Sequence, residues 1–243
     1  MNFIRNNFAN ALTLANLFSG TIGVVQLILG NYDSASICLL ASLILDFFDG
    51  FVARALKANS ELGGQLDSLA DMVSFGVFPG IVMYKALEPF GYEILGIYLP
   101  FEIKYFAFLI TVFSCLRLAI FNLDDDQKYY FKGLNTPTNT VFILGLFYLI
   151  NPTFDLFQQP ISKWALSPEI LVLITFISSY LLVSPIKMIA MKFKSKELKD
   201  NYPKIALLIG AILLLAVFQM KAIALLVIYY IFISLVFQKQ LSK

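Results

Sequence analysis

Between residues 11 and 238 the chain is written almost entirely as apolar runs about as long as a bilayer is thick. They cover 11–30, 34–57, 64–87, 103–121, 138–157, 169–190, 203–219 and 222–238. A spanning β-strand needs only about ten residues of alternating polarity, and these runs are longer and continuous. The expected fold is therefore all-α: a polytopic transmembrane helical bundle of about eight spans. Charge content agrees, at 14% against the roughly 25% of a soluble domain. The short 219–221 turn predicts that the last two spans form an antiparallel hairpin. No internal repeat or low-complexity linker appears, so 1–243 is expected to be one membrane domain.

The basic residues orient it. With the N-terminus in the cytoplasm, all but Lys85, Lys104, Lys163 and Lys221 of the 18 Lys and Arg fall on the inside. Both termini are then cytoplasmic, and the basic 187–204 loop reads as a topology anchor near anionic headgroups. One arginine and no small-residue cleavage site precede the first run, so no removable leader is expected. Net charge is only +2, which gives no ground for nucleic-acid binding. Cys38 and Cys115 lie within apolar runs, without metal-ligand spacing, and read as packing residues. There is no histidine, so acid–base chemistry would fall to carboxylates.

Four carboxylates stand where lipid should be. Asp46, Asp49 and Ala53 are spaced i, i+3, i+7 on the second run, and Asp67 and Asp71 i, i+4 on the third, so each set shares a helical face. At 1.5 Å per residue, Asp49 lies roughly 12 Å and Asp71 roughly 10 Å inside the same cytoplasmic edge. The two pairs can meet at one depth. Charges in a bilayer are costly and tend to mark function. Four converging carboxylates would repel unless protonated or neutralised by cations. Oxygen ligands suit Mg2+ or Mn2+, and two such ions would bring the cluster near neutrality. Gly50 would let a ligand approach the backbone, Ala53 is small on the same face, and Arg54 carries a donor fork suited to phosphate. Pairing of the acids with Arg54, Lys57 and Arg117, or an ion path in a cation-coupled transporter, stays open on these residues alone.

The string Asp46-x2-Asp49-Gly50-x2-Ala53-Arg54-x8-Gly63-x3-Asp67-x3-Asp71 resembles the signature of the CDP-alcohol phosphatidyltransferases, with weaker similarity over about 10–140. That resemblance implies an integral membrane enzyme with a six-helix core, here 10–190, and a two-metal site. The hairpin 203–238 is then additional; fold-filling and homodimer contact are both open for it. Asp46, Asp49, Asp67 and Asp71 would ligate the metals, and Asp71 would also take the proton of the attacking hydroxyl. Gly50, Ala53, Arg54 and Gly63 would line the CDP site. Asn10-x2-Thr13-x2-Asn16 resembles an N-terminal family element; Thr13 and Asn16 could bond the nucleotide or act as polar helix–helix glue.

The stretch from Asp67 to Pro79, with Ser68 and Met72 after the third and fourth aspartates, is similar to the serine-using branch of that family. So are Leu116–Asn122 and Phe131–Pro137, although Asn135 stands where the family tends to have Pro. The implied reaction moves a phosphatidyl group from CDP-diacylglycerol to L-serine; glycerol 3-phosphate or an inositol phosphate are other acceptors the same cations could bind. Arg117 and Lys132 are the candidate acceptor-binding residues, and Arg117 could instead snorkel to the headgroups. Asp124-Asp125-Asp126 reads as a solvated turn rather than a metal site. The expected location is a bacterial inner membrane, with the site facing the cytoplasm.

Overall fold

A computed structural model describes residues 2–56, 60–124, 130–150, 167–190, 198–218 and 222–238. Lys57, Asp125, Asp126, Lys128, Lys163, the 151–157 end of the fifth run, the 192–196 part of the basic loop and the 219–221 turn lie outside the described residues.

The first two runs fold as α1 (Asn2–Ile28) and α2 (Tyr32–Leu56). The reversal between them uses Gly30 at φ +78°, a conformation in which a side chain would be strained. The third run is α3 (Glu61–Asp71), a π-helical stretch Met72–Val77, and α4 (Phe78–Leu87). Ser60 starts it by accepting the Gly63 N–H at 3.0 Å, so the helix begins earlier than hydropathy suggests. A two-stranded hairpin, β1 (Glu93–Ile94) with β2 (Ile97–Tyr98), and a 3-10 turn at Ile103–Ala107 lead into α5 (Phe108–Leu123). Strand β3 (Tyr130–Lys132), α6 (Thr136–Ile150), α7 (Pro168–Val183), β4 (Lys187–Ile189), α8 (Leu198–Phe218) and α9 (Ala222–Val236) follow.

The described residues thus hold eight apolar helices for the eight runs. Five are long and apolar enough to cross a membrane, and α6, α7 and α9 are shorter. The protein is a polytopic helical membrane protein. Its third span is the central one: half of its most apolar window is buried, against 17–28% in the other long spans. Phe75, Phe78, Val82 and Leu87 from that span pack with Leu27, Leu39, Ile110, Ile143 and Leu171 of five surrounding helices.

The sixth run departs from expectation. It stops being helical at Val183 rather than at 190, because Pro185 excludes Ser184 from the helical region and leaves it extended at φ −68°, ψ 151°. The chain then forms β4, which pairs antiparallel with β3, Lys132 opposite Lys187 and Tyr130 opposite Ile189. Residues 130–132 of the polar stretch and 187–189 of the basic loop therefore form one small ribbon. Gly133, at φ +74°, brings its own N–H to the Ile186 carbonyl and that of Leu134 to Leu181 O, both at 2.8 Å, tying the ribbon to the end of α7.

Candidate carboxylate site

Helices α2 and α3 bring three of the four acids together: carboxylate oxygens of Asp46, Asp49 and Asp67 all lie within 4.8 Å of one another. Asp71 completes the group through a side-chain contact with Asp46. Asp49 is buried, and Asp46, Asp67 and Asp71 are half-buried. One oxygen of Asp49 and one of Asp71 are buried without a hydrogen-bond partner. Leaving such atoms bare costs about 1–3 kcal/mol each, more when charged. Converging hard oxygens with unmet acceptor capacity are what a divalent cation requires, so the residues present fit one.

The flanking residues fall in two groups. Arg54 is exposed, and its guanidinium folds over Gly50, where a Cβ would meet Nη1 at 3.4 Å. That is ordinary contact, so packing alone does not demand glycine there. Gly63 is tighter: a Cβ would come within 3.1 Å of both the Asn10 and Ser60 side-chain oxygens. Ala53 is half-buried on the Asp46–Asp49 side of α2.

From α1, Asn10, Thr13 and Asn16 at i, i+3, i+6 each meet a different piece of the site. Asn10 adjoins Gly63, and the buried Thr13 hydroxyl contacts Asp49. The Asn16 carboxamide oxygen accepts from Ser74 Oγ at 2.8 Å, leaving its buried Nδ2 without a partner. Sequence reasoning missed the Asn10 and Ser74 contacts. It also missed the π-helical stretch beginning directly after Asp71. Pro79 was its visible signal, since Pro supplies no N–H to the carbonyl four residues earlier. That carbonyl, Phe75 O, accepts instead from Thr140 Oγ1 at 3.1 Å, and Gly76 O accepts from Thr111 Oγ1 at 3.0 Å. Side chains from α1, α5 and α6 thus hold the wide turn that follows Asp71.

Arg117 and Lys132 lie together in a cavity of about 220 Å³, closed by Phe121 and by Leu182 to Pro185 at the end of α7. Arg117 does not snorkel: it is 6% exposed, donates from Nε to Leu134 O at 3.2 Å and lies 4.9 Å from the centre of the Phe121 ring. It is also close enough to Asp71 to interact electrostatically, which joins the cavity to the acidic cluster. Lys132 pairs with Asp124 at 2.6 Å, so the first residue of the acidic turn is an ion-pair partner rather than merely solvated. Asn122 Nδ2 donates to Ser68 Oγ at 2.8 Å, fixing α5 against α3.

Fold and site together define an integral membrane protein with a cation-suited carboxylate cluster at the junction of its second and third spans. Residues 6–181 match the CDP-alcohol phosphatidyltransferase family, and the chain belongs to it. It is 32% identical over 142 residues to the CDP-diacylglycerol–serine O-phosphatidyltransferase of Bacillus subtilis, covering 58% of this chain and 75% of that protein. The Helicobacter pylori protein of the same name is 29% identical over 174 residues, 71% of this chain and 70% of the relative. The Saccharomyces cerevisiae one is 29% identical over 180 residues, 64% and 62% respectively.

Proposed function

We propose that this protein transfers the phosphatidyl group of CDP-diacylglycerol to the hydroxyl of L-serine, giving phosphatidylserine and CMP. The observation that carries the reading is the convergence of Asp46, Asp49 and Asp67 within 4.8 Å, in a chain similar to relatives named for that reaction. Asp46, Asp49, Asp67 and Asp71 would hold two divalent ions, Mg2+ or Mn2+, whose charge when bound offsets that of the diphosphate.

The remaining chemistry belongs to the chain. Arg54, with Gly50, Ala53, Gly63, Thr13 and Asn16 around the cluster, binds and orients the CDP moiety. Arg117 and Lys132 bind the carboxylate of serine in the adjoining cavity, Arg117 through its planar fork. The serine oxygen bonds to the phosphorus bearing diacylglycerol, the bond from that phosphorus to the CMP oxygen breaks, and the hydroxyl proton passes to Asp71. An apolar crevice of about 450 Å³ between α2, α6 and α9 supports lateral entry of acyl chains, since its α2 wall runs from Asp33 to Leu43, one turn short of Asp46.

The core is proposed as 10–190, with 203–238 an added hairpin. The site faces the cytoplasm of a bacterial inner membrane, with both termini on that side. The test is CMP release by detergent-purified protein from CDP-diacylglycerol and a panel of alcohols, with and without Mn2+. Metal-dependent release with serine is expected; release with glycerol 3-phosphate but not serine would overturn the acceptor assignment.

A further inference from the structure

Helix α9 lies outside the residues that match the family, yet it is bonded to β4, the strand that follows the Ser184–Pro185 wall of the Arg117 cavity. Along α9 and just past its end at Val236, Tyr230, Ser234 and Gln238 form one stripe at i, i+4, i+8. All three bond the backbone of β4. The Tyr230 hydroxyl donates to Ile189 O at 3.0 Å, and Ser234 Oγ accepts the Ile189 N–H at 3.2 Å. Gln238 Oε1 accepts the Lys187 N–H at 3.2 Å, while its Nε2 donates to Lys187 O at 2.6 Å.

The register makes this specific. Alternate residues of an antiparallel strand turn their N–H and C=O to opposite edges. Lys187 and Ile189 face α9, and Met188 between them is opposite Phe131 of β3. β4 is thus gripped from both sides: by β3, which carries Lys132, and by α9. Ser184 and Pro185, just ahead of it, are cavity wall.

α9 is in turn anchored from behind. A Cβ on Gly145 of α6 would come within 3.0 Å of the Ala224 nitrogen, so the two helices touch backbone to side. Gly210 of α8 leaves the room that the Tyr229 ring fills, and the Tyr229 hydroxyl donates to Ala206 O at 2.8 Å.

We infer that α9 clamps β4, and through it sets the shape of the acceptor cavity, with Tyr230, Ser234 and Gln238 as positioning residues that do not touch substrate. This rests on the proposed acceptor role of the Arg117 cavity. The test compares full-length wild type with Tyr230→Phe, Gln238→Ala and the double variant, by kinetics and by backbone amide exchange over 130–134 and 186–190. The double variant should raise KM for serine about tenfold, the equivalent of about 1.4 kcal/mol. KM for CDP-diacylglycerol and kcat should stay within about twofold, and exchange in both segments should rise. Gln238→Glu, which keeps the acceptor oxygen for the Lys187 N–H, should recover part of the loss. Unchanged exchange, or equal loss against both substrates, would overturn the clamp. Wild-type protein that uses another alcohol defeats only the serine assignment, and the same KM comparison is then made with that alcohol.

Discussion

The Thr140 hydroxyl shares its one proton between Thr136 O of its own helix at 2.9 Å and the Phe75 carbonyl at 3.1 Å, bridging α6 to the π-helical stretch that follows Asp71. It occupies the acceptor to which Pro79 brings no N–H. Thr140 is fully buried, so Thr140→Val removes the bridge where solvent does not reach to replace it. The expected cost is about 0.5–1.5 kcal/mol, seen as a lower thermal midpoint in detergent. Turnover should fall as well, because the turn fixes the end of α3 that carries Asp71. Unchanged midpoint and unchanged turnover in the Thr140→Val variant would show that the bridge is dispensable.

Metal removal should expose the cost of the acidic cluster itself. Carboxylate oxygens within 4.8 Å repel when ionised and unneutralised. Chelator-treated wild type should therefore melt below chelator-treated Asp49→Asn. Adding Mn2+ or Mg2+ should raise the wild-type midpoint, by about 2–4 °C per kcal/mol in a chain of this size, and raise that of Asp49→Asn by less. Equal stabilisation of both proteins by the ion would remove Asp49 from the ligand set.

How far the sequence disclosed all this follows from the length scale of each feature. Asp46 with Asp49, and Asp67 with Asp71, are single-turn spacings, and equal depth from a shared membrane edge predicts their meeting. Helix count came equally directly from run length. The β3–β4 ribbon did not, since three-residue strands are too short to show a period. Pro185 did mark the end of α7, but apolar residues on both sides hid the break from a hydropathy window. The Asn10–Gly63 and Asn16–Ser74 contacts join residues far apart in the chain, and only the close approach of α1 and the third span makes them neighbours.

Asp71 carries a prediction that goes beyond metal binding. If it takes the serine proton, Asp71→Asn should lower kcat by about 10²–10⁴-fold, while KM for CDP-diacylglycerol changes little. The Asp71 oxygen left without a hydrogen-bond partner leaves acceptor capacity for that proton. The variant should still be stabilised by Mn2+, though less than wild type, since Asp46, Asp49 and Asp67 remain. Full turnover in Asp71→Asn would eliminate it as the base.

Arg117→Lys tests the acceptor cavity with charge conserved. The arginine spends Nε on Leu134 O, lies over the Phe121 ring and lines the cavity with Lys132 and Ser184. A lysine ammonium is a point donor without a second rigid branch, so it cannot hold the Leu134 carbonyl and present a fork to a substrate carboxylate together. KM for serine should rise about tenfold, the equivalent of about 1.4 kcal/mol, and KM for CDP-diacylglycerol should hold. A rise confined to CDP-diacylglycerol would place Arg117 with the nucleotide-lipid rather than the acceptor. If both KM values stayed at wild-type level, the charge alone would suffice and the fork would have no part in recognition.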